Sequence, residues 1–283
     1  MTTDLQPPAA APGATPPVAP PPRSSSRAVA IIAIVVGSAV VLGAVLSSVA
    51  SALWFAGDRP GARTADATGI EMLSVDVSAG DLTIVYADVE EARLDADRGD
   101  RGWRLSRSGG ELRVENGTPW WAGWRGFDID ADRATLTLPE RYATTPLDAH
   151  FEVSAGSLSA DGEYSDLQVH VGAGDATVTG SATYLTVDVS AGRADVDLAD
   201  VQEGDLQIGA GDIFADFSGD APSDLRIDVS AGSLDATLPD GTYDVTSEVS
   251  AGGFDNELRT ASGAASTIDV QVSAGGVTLR PAR

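Results

Sequence analysis

Several residue types are missing or scarce in this 283-residue chain, and each absence excludes a class of structure or chemistry. There is no cysteine, which excludes disulfide bonds and thiolate metal sites. There is no lysine, so arginine supplies all 18 basic side chains. The two histidines, His150 and His170, are isolated and predict no metal pair. Phosphate-binding and nucleophile-elbow motifs are also missing, so we predict no catalytic, cofactor-binding or metal-binding residue.

Positive charge is scarce relative to negative charge. The formal net charge is −24, and from Asp58 onward 41 acidic side chains accompany 16 basic ones. Nucleic-acid binding requires a basic surface and is therefore excluded. Divalent cations, basic partners and simple solubility remain compatible with this charge.

One short motif is abundant. The tripeptide Ser/Gly-Ala-Gly occurs eight times, and after the second copy the starts lie 18, 18, 19, 21, 20 and 23 residues apart. A period near twenty is typical of architectures in which each repeat buries its apolar face against its neighbours. The copies begin at Ser78, Ser154, Gly172, Ser190, Gly209, Ser230, Ser250 and Ser273.

Polar and apolar residues alternate on both sides of each tripeptide, as in a strand with one buried face. In the copy at Ser190, Val187 and Val189 flank the polar Asp188, and Ala194 follows the glycine. We predict an all-β fold, a β-solenoid with coils of about 18–23 residues that each consist of strand, small-residue corner, strand and polar turn. A β-sandwich built from hairpins is the alternative.

The amino-terminal part has a different composition. Residues 1–27 contain eight prolines and predict a disordered cytoplasmic tail. Residues 28–57 carry no charge and are long enough for one transmembrane α-helix, with a cleavable signal peptide as the alternative. Residues 58–69 would be a linker, and 70–283 the repeat domain. We expect a single-pass protein of the cell membrane with its carboxy-terminal domain outside the cell.

An irregular stretch, 92–150, interrupts the repeats and predicts a cap over unpaired strand edges. It contains Trp120, Trp121 and Trp124, three tryptophans within five residues. The cluster either belongs to the cap or forms an aromatic surface for a glycan or another ligand.

Stacking the repeats in register predicts an acidic face. It consists of the outward residues Asp195, Asp197, Asp216, Asp235 and Asp255, with Asp197 beside Asp216 and Asp235 beside Asp255. A Ca²⁺ site needs six or more converging oxygens, which a flat strand face seldom provides. A solvated acidic face is the simpler interpretation.

The units Leu185–Gly192 (LTVDVSAG) and Asp205–Ile213 (DLQIGAGDI) resemble the bacterial putative-adhesin family of β-strand-repeat domains. The resemblance covers roughly residues 70–283. It implies a β-solenoid attached to the cell envelope and supplies no catalytic residues. We expect a non-catalytic envelope protein for adhesion, ligand sensing or scaffolding, with an unknown envelope or glycan ligand.

Two other functions remain open. One is a carbohydrate-active enzyme built on a β-helix. The other is a self-associating scaffold, because the last repeat stops at Val277–Pro281 with little left to cover it.

Overall fold

The computed structural model of the chain describes residues 64–97, 102–117 and 133–282. Their regular secondary structure consists of strands and one 3-10 turn, Glu140–Ala143. The strands are β1 (Thr64–Asp66), β2 (Met72–Val77), β3 (Gly80–Ala87), β4 (Glu91–Ala96), β5 (Trp103–Ser108), β6 (Glu111–Asn116), β7 (Arg133–Pro139), β8 (Leu147–Val153), β9 (Gly156–Val171), β10 (Asp175–Val189), β11 (Arg193–Ala199), β12 (Glu203–Ile208), β13 (Asp212–Ser218), β14 (Asp224–Leu238), β15 (Thr242–Asn256), β16 (Arg259–Thr260) and β17 (Ser266–Pro281).

Five parallel strands form a closed barrel, in the order β10, β11, β13, β14, β12 and back to β10. The barrel closes because β10 and β14 each pair with different strands along their two halves. In β10, residues 175–181 pair with β11 and residues 184–189 pair with β12. In β14, residues 224–229 pair with β12 and residues 233–237 pair with β13.

Additional parallel strands extend the sheet toward its amino-terminal end. β9 pairs with β10 along almost its whole length, and β8 and β3 pair with the two halves of β9. β2 pairs with β8, and β6 pairs in turn with β2. β7 pairs with β3. In the described ranges, antiparallel pairs occur only at this end, where β4 pairs with β1 and β7, and β5 pairs with β6.

The strand order at the other end departs from the order in the chain. β17 pairs with β14 on one side and with β15 on the other, so it lies between two strands that precede it. Ser247 of β15 is in register with Val270 of β17 and Ile227 of β14. Val270 and Ile227 are fully buried, whereas Ser247 is exposed. The more apolar strand therefore occupies the interior position, as the hydrophobic effect requires.

The inward side chains of paired strands form apolar columns. Val187, Leu206, Ile227 and Val270 make one column across β10, β12, β14 and β17, and all four are fully buried. Burying an aliphatic side chain of this size stabilises the fold by about 1.5–3 kcal/mol. In-register pairing therefore supplies the core.

Glycine at the third tripeptide position lets neighbouring strands approach closely. A Cβ atom on Gly192 would overlap the backbone carbonyl oxygen of Gly174 and would lie 2.8 Å from Cγ1 of Val171. Gly211 contacts Gly192 in the same way, and Gly232 contacts Gly211. Because the obstructing atoms are mainly backbone, a side chain cannot be fitted here by rotating a neighbour.

The all-β prediction is confirmed, but the predicted β-solenoid architecture is wrong. The described residues form one 17-stranded sheet that contains a closed five-stranded parallel barrel with extra strands. The last three tripeptides lie inside β14, β15 and β17 rather than between strands, and β9 and β10 continue through their predicted polar turns. Backbone pairing with the neighbouring strand persists through these bends, so they do not end the strands.

No helix in the described ranges is long and apolar enough to cross a membrane. The predicted tail, 1–27, and the predicted membrane helix, 28–57, lie outside the described residues. The expectation that Val277–Pro281 ends the stack is wrong, because this segment belongs to the interior strand β17 and β15 is the outer strand.

We expect the substitution Gly192→Ala to lower the free energy of unfolding by about 1–3 kcal/mol, because the added methyl group must displace backbone. Chemical denaturation of the full chain measures this loss. Gly253→Ala is the matched control, since a Cβ atom there would contact nothing within 4 Å, and its effect should stay within about 0.5 kcal/mol. Equal stability of the two variants would contradict close packing of the glycines.

Candidate functional site

Four of the five predicted acidic residues line one shallow depression, which we call the acidic trough. Asp195 and Asp197 lie on β11, Asp216 on β13 and Asp235 on β14. The depression has a volume of about 360 Å³ and also includes Phe214 and Arg280. These residues come together because alternate side chains of paired strands point to the same face of the sheet.

The predicted neighbours are only partly correct. Asp197 and Asp216 are register partners on adjacent strands, as predicted. Asp235 and Asp255 are not adjacent, because Thr278 of β17 lies between them in register. The two residues are separated because β17 lies between β14 and β15 in the sheet.

Phe214 gives the trough an apolar element. It is in register with Asp195 on one side and Asp235 on the other, and 40% of the residue is exposed. The guanidinium carbon of Arg193 lies 5.1 Å from the centre of its ring, within the range of a cation–π contact. The guanidinium of Arg193 therefore lies over one face of the Phe214 ring.

Arg280 supplies the positive charge of the trough lining. Its Nη1 atom donates to both carboxylate oxygens of Asp235, at 2.7 and 3.0 Å. The remaining trough carboxylates, Asp195, Asp197 and Asp216, have no such partner among the ion pairs of the described residues. The trough therefore keeps a net negative charge.

Threonine hydroxyls extend the polar surface. Thr177 is in register with Asp195 and Thr179 with Asp197. The Oγ1 atom of Thr179 donates to Oδ1 of Asp161, at 3.1 Å. The trough thus combines hydroxyl groups, carboxylates and one aromatic face. In the described part of the chain, no three His, Cys, Asp or Glu side chains converge on a position that could hold a metal ion.

The predicted aromatic surface was not located, because Trp120, Trp121 and Trp124 lie outside the described residues. The sequence interpretation also missed Phe214 and Arg280. Aligning Phe214 with the stacked aspartates would have indicated its place, because it occupies the same position after the tripeptide as Asp195 and Asp235. Arg280 is the fifth residue after Gly275, the position that Asp197 and Asp216 occupy in their own repeats. The pairing of β17 with β14, which the sequence did not show, brings it to the trough.

A second row of charged groups runs across another part of the sheet, and we call it the carboxylate row. It consists of Glu115 (β6), Asp76 (β2), Glu152 (β8), His170 (β9) and Asp188 (β10), each in register with the next. His170 Nδ1 lies 3.7 Å from Asp188 Oδ2. The sequence showed the outward polar position in each repeat, but Glu115 was not recognised because no tripeptide follows it.

Burial, with the neighbouring carboxylate of Glu152 as the second cause, raises the pKa of Asp76 to about 6. A hydrogen bond from Ser78 Oγ, at 3.3 Å, acts in the opposite direction. Farther along the sheet, burial raises the pKa of Asp228, with Asp205 as a second cause. In both cases burial is the first cause, and a carboxylate on a paired strand further disfavours the ionised form.

Known proteins offer only remote likenesses. No family model matches the chain, and no curated protein matches it. A putative adhesin from Bacteroides fragilis NCTC 9343 superposes with a TM-score of 0.47 at 12% identity, over 80% of this chain and 100% of that chain. A putative cell adhesion protein from Clostridium sporogenes ATCC 15579 gives 0.35 at 11% identity, over 77% and 97%. A putative adhesin from Parabacteroides distasonis ATCC 8503 gives 0.37 at 14% identity, over 76% and 94%.

We expect Asp76→Asn to stabilise the protein at neutral pH. Because the pKa of Asp76 is raised from 3.8 to about 6 in the folded state, its ionised form destabilises the fold above pH 6, and this penalty disappears as the pH falls from about 6 to about 4. The amide cannot ionise, so the variant should lose that part of the pH dependence.

The measurement is the free energy of unfolding of wild type and variant between pH 4 and pH 8. Asp175→Asn, at an exposed position of β10 outside the carboxylate row, is a control for the general loss of one negative charge. A wild-type protein that gains no stability relative to Asp76→Asn as the pH falls through this range would contradict the assignment.

Proposed function

We propose that this chain is a non-catalytic cell-surface binding protein, and that the acidic trough binds a glycan in an adhesive role. The observation that carries the proposal is the exposed ring of Phe214 between two register-matched carboxylates, Asp195 and Asp235, on a rigid strand scaffold. Carboxylates accept hydrogen bonds from sugar hydroxyls. An exposed aromatic ring offers a flat apolar face to the C–H face of a sugar ring.

The shape of the trough fits binding at the surface of an extended ligand. Its volume of about 360 Å³ is near the lower end of typical ligand pockets. The depression crosses β10, β11, β13 and β14, so a chain of sugar units would meet Thr177, Asp195, Phe214 and Asp235 in succession. The repeating units of such a ligand would therefore contact equivalent positions on successive strands.

The net negative charge of the trough determines which type of sugar it would bind. The trough has four carboxylates and one guanidinium, and Asp235 already binds that guanidinium. Anionic sugars such as uronates would meet uncompensated repulsion, whereas neutral and amino sugars would not. The proposed ligands are therefore neutral or amino-sugar glycans.

The predicted location suits this role. The uncharged run 28–57 would anchor the chain in the membrane with the acidic domain outside the cell. There the trough would face glycans of the same or a neighbouring cell surface.

A direct test measures binding of three soluble probes to the full chain: an N-acetylglucosamine oligomer, a partly deacetylated chitosan oligomer and an oligogalacturonate. We expect the first two to bind and the uronate to bind at least about tenfold more weakly. Isothermal titration calorimetry provides the dissociation constants.

Two variants locate the binding site. Phe214→Ala should weaken binding by about tenfold, the effect expected for a central aromatic contact. The matched control is Tyr184→Ala, because Tyr184 is also exposed, at 48%, but does not line the trough, and it should change affinity by less than about twofold. If Phe214→Ala binds like the wild type while a combined Trp120, Trp121 and Trp124→Ala variant loses binding, the tryptophan cluster and not the trough is the site.

A further inference from the structure

The outer edge of β15 is a long strand edge with little cover. β15 runs over 15 residues, Thr242–Asn256, and pairs with β17 on its inner side. On its outer side it pairs only with the two residues of β16, opposite Thr242 and Tyr243. Nothing else in the described part of the chain pairs with the remainder of this edge.

The unpaired backbone groups can be identified. In a parallel sheet, successive residues direct their N–H and C=O groups to opposite sides. The carbonyl oxygen of Tyr243 accepts a hydrogen bond from Ala261 N on the outer side, at 3.0 Å. By alternation, the backbone groups of Val245, Ser247 and Val249 point to the same outer side, where no strand of the described ranges receives them.

The core is also open at this edge. Val249 is in register with the buried Val272 and Val229, yet 40% of Val249 is exposed. Phe254, in register with the buried Val277, is only partly buried. One further strand would bury these side chains, as β17 and β14 bury their equivalents.

β15 lacks most of the features that keep an edge strand from pairing. It contains no proline and no basic residue, and it is longer than most edge strands. Its charged residues are all acidic: Asp244, Glu248 and Asp255. Arg259, the nearest basic residue in sequence, already binds Asp240 at 2.7 Å.

We propose that the free edge of β15 docks an extended segment of a partner protein in which Lys or Arg alternates with apolar residues. The backbone of that segment would pair with the unpaired groups of β15, as in other complexes formed by strand addition. Its apolar side chains would cover Val249 and Phe254, and its basic side chains would lie beside Asp244 and Glu248.

Charge decides between the possible occupants. A second copy docked through the same edge would bring its own Asp244 and Glu248 against the same acidic residues, and like charges on facing strands are destabilising. A basic segment instead meets complementary charge along the whole strand. This interaction does not depend on the acidic trough, whose residues lie on other strands.

The test uses fluorescence anisotropy with the full chain and a labelled peptide, Lys-Val-Lys-Val-Thr-Val-Lys-Val. We expect the peptide to bind, and its counterpart with glutamate in place of lysine to bind at least about tenfold more weakly. Ser247→Pro should weaken binding of the lysine peptide by at least about tenfold, because proline removes an outward N–H and obstructs pairing without changing the charge. Ser247→Ala keeps the N–H and is the matched control.

Ser247→Pro should leave the thermal unfolding transition close to that of Ser247→Ala, since the N–H it removes has no strand partner. If this variant does not fold, the lysine peptide with two consecutive N-methylated residues replaces it and should lose binding to the wild type. Equal binding by Ser247→Pro, or by the methylated peptide, would show attraction by charge alone and overturn the proposal. Sedimentation that shows self-association of the wild type, abolished by Ser247→Pro, would also overturn it, because the occupant would then be a second copy.

Discussion

Residue-for-residue pairing between parallel strands that lie about one repeat apart is the constraint on which the rest of this structure depends. It places Val187, Leu206, Ile227 and Val270 in one buried column. It also stacks the tripeptide glycines so closely that no side chain fits between them. A slip of one residue would turn every apolar side chain outward, so the core and the glycine contacts fix the register together.

The same registration places like charges side by side. Their repulsion is reduced in different ways in different parts of the sheet. In the acidic trough, Arg280 neutralises Asp235, while threonines of β10 lie opposite aspartates of β11. In the carboxylate row, Arg113 forms its ion pairs with Glu111 and Glu115, and the pKa of Asp76 rises to about 6, with burial as the main cause. Carboxylates nevertheless face each other on adjacent strands, as Asp197 and Asp216 do, and each such pair opposes the folding free energy that the core supplies.

The sequence was sufficient to predict strands, their alternation and part of their register. Matching the tripeptides was enough to place Asp197 beside Asp216. It could not predict that β17 separates Asp235 from Asp255, because that order depends on which strand buries more apolar surface. Ser247 is a polar residue at a position that is aliphatic in the neighbouring strands. This was the one feature of the sequence that indicated an outer strand. Nor could periodicity show that strands continue through their bends, since this depends on hydrogen bonds to a neighbour.

The position of β17 also affects how the domain can be assembled during synthesis. β15 leaves the ribosome before β17, yet in the finished sheet β17 separates it from β14. If β15 pairs early with β14, that pairing has to open before the later strand can enter. This end of the domain therefore reaches its native order only after β17 has been translated, and an early β14–β15 pair would have to exchange one neighbour for another.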